Sequence, residues 1–337
     1  MKNGEPGHEL KKNKTYILTF DLAKKVKLFR SIGLKTPDVD AAIYTDIKDG
    51  IIRIVNDSFP GANVRAVTME ALADEILTTA LDHRKHLKDA VVVSTCVEIA
   101  GLKRGQTIDI NRLVNRSGNI IGLGPRPGYS GLKEQIRDIT NSCRDNPIIL
   151  MEDGTFTGGT LLEILGMFKE CKAEVAAVVV GFAFSRAIEA LQNQFDGEVI
   201  VIERMEEFID WMPDHDFFPF ISNCGRVIGV PWNGYNLPFY TYNHASYSVP
   251  YIYPFCPMPE WTSIPHKHAV ELSRFCLQKD LEIFKTIEQM NGRRITIGDL
   301  DGVYPRVSIP ICIGQPELPH LNACITDYLA SVCHEIN

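Results

Sequence analysis

The sequence predicts an α/β protein built on a doubly wound parallel sheet, with an added α+β or irregular region beside it. Five short apolar runs recur between positions 90 and 202, and each of the first four precedes a segment whose apolar residues repeat at helical spacing. Continuous apolar strands that alternate with amphipathic helices are what a parallel sheet needs when helices cover both of its faces.

The segment before this pattern is expected to form the first part of the added region. Residues 1–14 are polar and lysine-rich, which predicts a solvated tail. Residues 15–65 mix short apolar stretches with turn residues and indicate a small, irregular α+β segment. Over residues 67–87 the apolar side chains fall at helical spacing and predict an amphipathic helix.

The alternating part of the chain predicts a regular series of strands and helices. The expected strands are residues 90–93, 119–123, 148–151, 175–180 and 198–202. The expected helices are residues 109–116 with Asp109 as the cap, a helix after Ser130 with Leu132, Ile136 and Ile139 inward, residues 160–170, and residues 185–195. Ligands of such sheets bind at the carboxyl ends of the strands.

The composition changes again after residue 230. Residues 231–261 are rich in aromatic residues and proline without any regular period, so we expect an ordered, irregular segment. Its aromatic rings either form a satellite core, the interpretation we favour, or stack on a base. Two helices are expected after it, over residues 267–290 with Gly292 as the C-cap and from residue 318 to the end. The predicted domains are 1–66, 67–230 and 231–337.

Composition and charge exclude several classes of protein. The chain has 337 residues, of which 45% are hydrophobic and 23% charged, which is typical of a folded globular protein. Its apolar runs are too short to span a membrane, and residues 1–14 lack the apolar core of a secretory signal. The nine cysteines form no CxxC pair, so reduced thiols and a cytoplasmic location are expected. A net charge of −7 does not indicate a general nucleic-acid binder, although a nucleic-acid or protein partner stays open.

The strongest functional signal is the thirteen-residue run IILMEDGTFTGGT over positions 148–160. Four apolar residues predict a buried strand, and two adjacent carboxylates stand at its carboxyl end. A loop of glycine and threonine then leads directly into a helix, whose first N–H groups and dipole favour an anion such as phosphate. Because neighbouring carboxylates suit a sugar diol or a magnesium ion, the run as a whole suits a phosphorylated sugar.

This run resembles the ribose-phosphate-binding motif of the type I phosphoribosyltransferases. In that motif four hydrophobic residues and two acids precede three variable residues and Thr-Gly-Gly-Thr, and every defined position matches. The resemblance implies a type I phosphoribosyltransferase-like, Rossmann-like core in a larger variant with additions at both ends. It also implies an enzyme that binds phosphoribosyl pyrophosphate (PRPP) with Mg²⁺ and transfers ribose 5-phosphate to a nucleobase or other nitrogen acceptor, releasing pyrophosphate. Homodimers are common in the family.

The resemblance assigns roles to individual residues. Glu152 and Asp153 would be the catalytic acids and would hold the ribose hydroxyls, directly or through Mg²⁺. The residues expected to bind PRPP are Glu152, Asp153, Gly154, Thr155, Thr157, Gly158, Gly159 and Thr160.

Three basic residues are candidates for the pyrophosphate. The family has a pyrophosphate loop after its first core strand, which here is residues 94–105 and contains Lys103 and Arg104. It also has a mobile catalytic loop after the second core strand, which here is residues 124–131 and contains Arg126. Cations at these places would stabilise departing pyrophosphate, but a solvated loop and a surface turn explain them equally well.

Two features bear on the acceptor. Family members that act on 6-oxopurines commonly carry an aspartate where this chain has Phe156, and a phenyl ring accepts no proton. This lowers the expectation of a hypoxanthine or guanine enzyme. The acceptor is held in the family by a variable hood, and the additions at both ends would supply it here. His215 stands between two acids and could be an acid or base, although a surface histidine is the commoner outcome.

Other functions remain as alternatives. The chain could be a catalytically weak regulator that binds PRPP or a nucleotide, or a retron-type effector of bacterial defence that keeps the PRPP motif. A Rossmann-like nucleotide-binding protein of another kind is disfavoured, because no GxGxxG follows the first strand of the alternating part and no GxxxxGK[ST] occurs.

Overall fold

The structure, a computed structural model, describes residues 14–95, 106–230, 241–242, 245–315 and 318–336. The strands are β1 (Thr15–Phe20), β2 (Asn63–Thr68), β3 (Val91–Ser94), β4 (Ile110–Val114), β5 (Ile120–Pro125), β6 (Ile148–Thr155), β7 (Val175–Phe184), β8 (Glu198–Met205), β9 (Phe208–Pro213), β10 (Arg226–Val227), β11 (Thr241–Tyr242), β12 (Ala245–Val249) and β13 (Ile309–Pro310). The α-helices are α1 (Leu22–Lys27), α2 (Ala42–Ser58), α3 (Met69–Arg84), α4 (Leu132–Cys143), α5 (Gly159–Glu170), α6 (Ser185–Gln194), α7 (Met258–Thr262), α8 (His266–Asn291) and α9 (Ile325–Glu335).

A four-stranded parallel sheet in the order β3-β6-β7-β8 forms the centre of the predicted alternating part. Neighbouring residues of its strands face opposite ways. Leu150 packs in a cluster with α4 and α5, whereas Ile149 packs in a cluster with α3. Helices therefore cover both faces, and the mixed α/β architecture with parallel sheets agrees with the predicted fold class.

A second parallel sheet joins distant parts of the chain. Its order is β2-β1-β9, so that the segment near the N-terminus pairs with residues 208–213. Tyr16 and Leu18 of β1 are buried in the largest apolar cluster, which also contains buried residues of α2 and α8. Ile17 faces the opposite way and packs in the α3 cluster. The domain boundaries proposed above stay a prediction.

One predicted helix is wrong. Residues 110–114 form β4, which pairs antiparallel with β5 as a hairpin, so residues 120–125 are also not a strand of the parallel sheet. The turn explains this outcome. The Asn115 side chain accepts hydrogen bonds from the backbone N–H groups of Ser117 and Asn119, and Gly118 adopts φ +83°. Such a turn reverses the chain where a helix would have continued it.

The C-terminal part agrees with prediction in its long helix and differs at two points. Helix α8 occupies the predicted place, and Gly292 ends it with φ +65°. The last helix begins at Ile325, later than predicted. Within the aromatic segment, residues 245–249 form the buried strand β12 between β10 and β13, a regular element that the sequence analysis did not predict. Tyr247 and Phe255 belong to the large apolar cluster, as the core interpretation predicts.

Two further properties follow from the described residues. All the cysteines among them are free thiols. No helix among them combines the length and the apolar character needed to cross a membrane.

Candidate active site

The predicted loop lies at the carboxyl end of an inner strand. Strand β6 runs between β3 and β7, and after it the chain turns directly into α5. The Thr155 hydroxyl accepts a hydrogen bond from the Gly158 N–H at 3.2 Å, which tightens this turn. Gly158 has φ +82°, a conformation that suits glycine because it has no Cβ. The turn thus brings the first N–H groups of α5 next to the acids of β6.

A cleft opens at this point, and we call it the first cleft. It is lined by Thr95, by Ile110, Asn111, Arg112, Leu123 and Arg126 of the β4–β5 hairpin and its end, and by Glu152, Asp153, Gly154, Thr155, Phe156, Thr157, Gly159, Thr160 and Leu161. All the predicted PRPP-binding residues except Gly158 therefore line one cavity. Arg126 lines it too, whereas Lys103 and Arg104 lie outside the described residues.

The two acids of the first cleft interact closely. Burial and the neighbouring Asp153 carboxylate raise the pKa of Glu152 well above its usual range, and a hydrogen bond between the two side chains acts in the same direction. Thr95 and Arg112 oppose this shift. Oε2 of Glu152 is buried and has no hydrogen-bond partner among the described residues. A buried, unsatisfied carboxyl oxygen is costly, and a ligand hydroxyl or cation would satisfy it.

The start of α5 is open to a ligand. Thr157 and Gly159 are exposed. Among the described residues, a Cβ built on Gly159 would meet only the Thr157 hydroxyl, at 3.6 Å, and the Gly159 N–H donates a long hydrogen bond of 3.4 Å to the same hydroxyl. The N–H groups of the first helical turn have no partner within the helix and carry the positive end of its dipole. The geometry suits an anion here.

The hairpin contributes a residue that the sequence analysis missed. Arg112 of β4 lines the first cleft, and Arg126 follows β5 with its Nε donating to the Ile110 carbonyl at 3.1 Å. Arg112 was missed because residues 109–116 were interpreted as a helix. Its position between apolar residues in a strand-compatible stretch was the only signal.

Phe156 belongs to an aromatic cluster beneath the loop. Its ring stacks on Phe184 at 5.2 Å between centroids and also contacts Phe208 and Trp211. Trp211 of β9 lies so close to Gly154 that a Cβ there would collide with the indole. Its Nε1 donates to the Thr19 hydroxyl of β1 at 3.1 Å. This cluster joins the carboxyl ends of β6 and β7 to strand β9 of the second parallel sheet.

A second cleft adjoins the first and shares three of its residues, Asn111, Arg126 and Asp153. The rest of its lining comes from the other sheet and the chain after it, and includes Asp21, His215 and Asp216. The two clefts are therefore neighbouring parts of one depression between the sheets.

His215 is held within an acidic cluster. Its Nδ1 lies 2.6 Å from Oδ1 of Asp21, and its side chain is only 12% exposed, so the expectation of a surface histidine is wrong. Burial is the largest single influence and opposes the charged ring, but the charge and hydrogen bond of Asp21 together with the charge of Asp216 raise the pKa of His215 overall. Asp21 follows β1 and His215 follows β9. Because these strands are parallel neighbours, their carboxyl ends meet.

The acidic cluster does not suit a metal ion. Ligand atoms of Asp21, Asp214 and His215 lie within 4.8 Å of one another. However, Asp214 already accepts hydrogen bonds from the N–H groups of Asp21 and Leu22, at 2.9 and 3.2 Å. Asp21 is paired with both His215 and the buried Lys25 ammonium, whose Nζ lies 3.6 Å away. The lone pairs and charge that a cation would need are already in use.

Comparisons with known proteins give only distant likenesses. No protein-family model and no curated protein matches the chain. Among solved structures it is similar to TT1426 from Thermus thermophilus, with 16% identity, a TM-score of 0.23, and coverage of 41% of this chain and 81% of that chain. It is also similar to UMP synthase of Leishmania donovani, with 12% identity, a TM-score of 0.26, and coverage of 49% of this chain and 36% of that enzyme. TM-scores this low support no conclusion about function.

Proposed function

We propose that this chain is a phosphoribosyltransferase-like enzyme, which binds PRPP with Mg²⁺ in the first cleft and transfers ribose 5-phosphate to a nitrogen acceptor. One observation carries the proposal. The run that matches the family motif brings two adjacent carboxyls, three threonine hydroxyls and an open helix start into a single cavity. A phosphorylated sugar needs these groups together, because its diol seeks carboxylates and its phosphate seeks N–H donors.

The parts of PRPP would be held by different elements. The 5′-phosphate would lie at the start of α5, near Thr157, Gly159 and Thr160. The ribose hydroxyls would lie at Glu152 and Asp153. The pyrophosphate would face Arg112 and Arg126 of the hairpin, where their positive charge stabilises it as it leaves.

The residues of the first cleft suit magnesium. Mg²⁺ prefers oxygen ligands and binds through one or two carboxylates together with phosphates of the substrate. Glu152 and Asp153 are such carboxylates, and the buried Oε2 of Glu152 has no partner among the described residues. When bound, the ion would neutralise charge on the pyrophosphate.

The chemistry asks the protein mainly to position groups and stabilise charge. The bond between C1 of the ribose and the pyrophosphate oxygen breaks, and its electron pair leaves with the pyrophosphate. Positive charge develops on the ribose ring, and the negative charge of Asp153 would stabilise it. The acceptor nitrogen forms the new bond to C1, and its proton passes to the departing pyrophosphate or to water.

Isothermal titration of PRPP with Mg²⁺ tests the proposal. Asp153→Asn keeps the size of the side chain but removes its charge, so we expect binding about 10- to 100-fold weaker. Asp196→Asn is the matched control, because Asp196 is exposed and precedes β8, at the opposite end of the sheet. It should bind as the wild type does.

The proposal fails if the wild type does not bind PRPP, or if Asp153→Asn binds PRPP as tightly as Asp196→Asn does. Release of pyrophosphate with an added acceptor then tests turnover. Tight binding without release for any acceptor would favour the alternative of a PRPP-binding regulator.

A further inference from the structure

The second cleft is placed to hold the acceptor. It shares Asn111, Arg126 and Asp153 with the first cleft, so a molecule bound there would adjoin the ribose end of PRPP. Its other walls come from β1, the residues after β9 and Tyr251. None of these walls belongs to the motif over residues 148–160.

The polar groups of this cleft are fixed in position. Asp21 holds Nδ1 of His215 at 2.6 Å, and the Gly225 N–H donates to Oδ1 of Asp216 at 2.7 Å. Nε2 of His215 lies 3.7 Å from Oδ1 of Asp216, which is too long for a hydrogen bond. The His215 and Asp216 side chains are each about nine-tenths buried, yet both line the cleft. Nε2 and the Asp216 carboxyl are thus two adjacent polar groups that a ligand can reach.

We infer that His215 and Asp216 select a neutral, planar nitrogen heterocycle that presents a hydrogen-bond donor beside an acceptor. This inference rests on the proposed transfer to a nitrogen acceptor. Nδ1–H of His215 is held by Asp21, whose negative charge raises the pKa of His215 and so favours the doubly protonated ring. In that form Nε2–H is free to donate to the acceptor atom of the heterocycle. The Asp216 carboxylate accepts from its N–H group. Lactams, amidine-type rings and carboxamides on rings all present such an edge.

Charge excludes a second class of acceptor. Among the described residues, three carboxylates line the second cleft, those of Asp21, Asp153 and Asp216, and Arg126 and His215 are the basic side chains that line it with them. Lys25 lies against Asp21 and already compensates part of its charge. A heterocycle that carries its own carboxylate would add another negative charge to this group, so the cleft should reject it.

Matched ligands provide the test. Uracil and orotate differ by one carboxylate, and nicotinamide and nicotinate differ by a carboxylate in place of an amide; adenine adds a neutral amidine-type ring. Saturation-transfer NMR would measure their binding to the full chain, with and without saturating PRPP and Mg²⁺. We expect at least one neutral ring to bind, and a neutral member of a pair to bind at least about ten-fold more tightly than its carboxylate counterpart.

Variants assign the binding to the two residues. His215→Asn removes the Nε2–H donor and should weaken the neutral ring about ten-fold, while PRPP binding stays within about two-fold of the wild type. His83→Asn is the matched control, because His83 also lies near a carboxylate, that of Glu198, but lines neither cleft. Asp216→Asn can still accept the hydrogen bond from the Gly225 N–H. If His215→Asn fails to fold, Asp216→Asn tests recognition of the same donor-and-acceptor edge of the heterocycle.

The outcomes separate this inference from the proposed function. Three results overturn the acceptor assignment even when PRPP binds. The first is tighter binding of orotate or nicotinate than of its neutral counterpart. The second is binding of a neutral ring that both variants retain, and the third is that none of the rings binds. If a neutral ring binds and depends on His215 but PRPP does not bind, the proposed function fails and only the heterocycle-binding site itself is supported.

Discussion

The two clefts are built in opposite ways. The acids, hydroxyls and open helix start of the first cleft come largely from one continuous stretch, residues 152–160. The polar groups of the second cleft come from distant parts of the chain, and Asp21 and His215 are separated by 194 positions. The comparison shows that the chemistry of a site built from one continuous motif can be predicted from the sequence. A site assembled from distant segments can be recognised only once the pairing of its strands is known.

Trp211 is the link between the two clefts, and its removal should have the largest effect. Its Nε1 donates to Thr19, which lines the second cleft, and its ring packs against Gly154, which lines the first. Trp211→Ala should lower the free energy of unfolding by about 3–5 kcal/mol, because it leaves a cavity between the sheets. Urea unfolding measures this.

Trp211→Phe refines the same test. It keeps an aromatic ring and loses the hydrogen bond to Thr19, so a loss of about 1 kcal/mol is expected from that bond. If both variants unfolded at the same urea concentration as the wild type, the indole would not join the two sheets and the clefts would be independent.

The sequence predicted the first cleft better than the second for physical reasons. Strands such as β6 and β7 are buried on both faces, and their continuous apolar runs mark them without any knowledge of their neighbours. The two acids in the second half of β6 and the glycines that follow the strand then had to lie near its carboxyl end. The prediction of those positions needed only local information.

The missed features depend on pairing between distant segments. Residues 110–114 are too few to distinguish helix from strand, and only the hairpin with β5 decides. The pairing of β1 with β9 is equally invisible in sequence, yet it brings Asp21 to His215. A histidine between two acids therefore resembled a surface residue until its neighbour across the sheet was known.

A buried carboxyl group in the long helix α8 should lower stability. Asp280 of α8 is fully buried, neither of its oxygens has a hydrogen-bond partner among the described residues, and burial raises its pKa well above the usual range. Because its pKa is higher in the folded protein, such a carboxyl group stabilises the fold at pH values below the pKa that it has in the unfolded chain. This stabilisation is lost as the pH rises through the pKa that it has in the folded protein.

Asp280→Asn should therefore be the more stable protein at neutral and alkaline pH. We expect a rise in Tm on the order of 2 °C at pH 8 that shrinks toward pH 4, and calorimetry across this range measures it. Other buried acids, among them Asp214, keep part of the pH dependence in the variant. A variant less stable than the wild type at pH 8 would show that the Asp280 charge is compensated.

The most direct test of the account is whether a ligand approaches the backbone at the start of α5. Gly159→Ala adds one methyl group there, and that methyl would meet only the Thr157 hydroxyl at ordinary contact distance. Gly166→Ala makes the same change in the same helix at a position where, in the described part of the chain, no atom outside the helix's own backbone lies within 4 Å of the added methyl group. Titration of PRPP with Mg²⁺ should show binding about ten-fold weaker for Gly159→Ala at unchanged Tm, and unchanged binding for Gly166→Ala. Equal binding by the wild type and Gly159→Ala would contradict the placement of the phosphate in the first cleft.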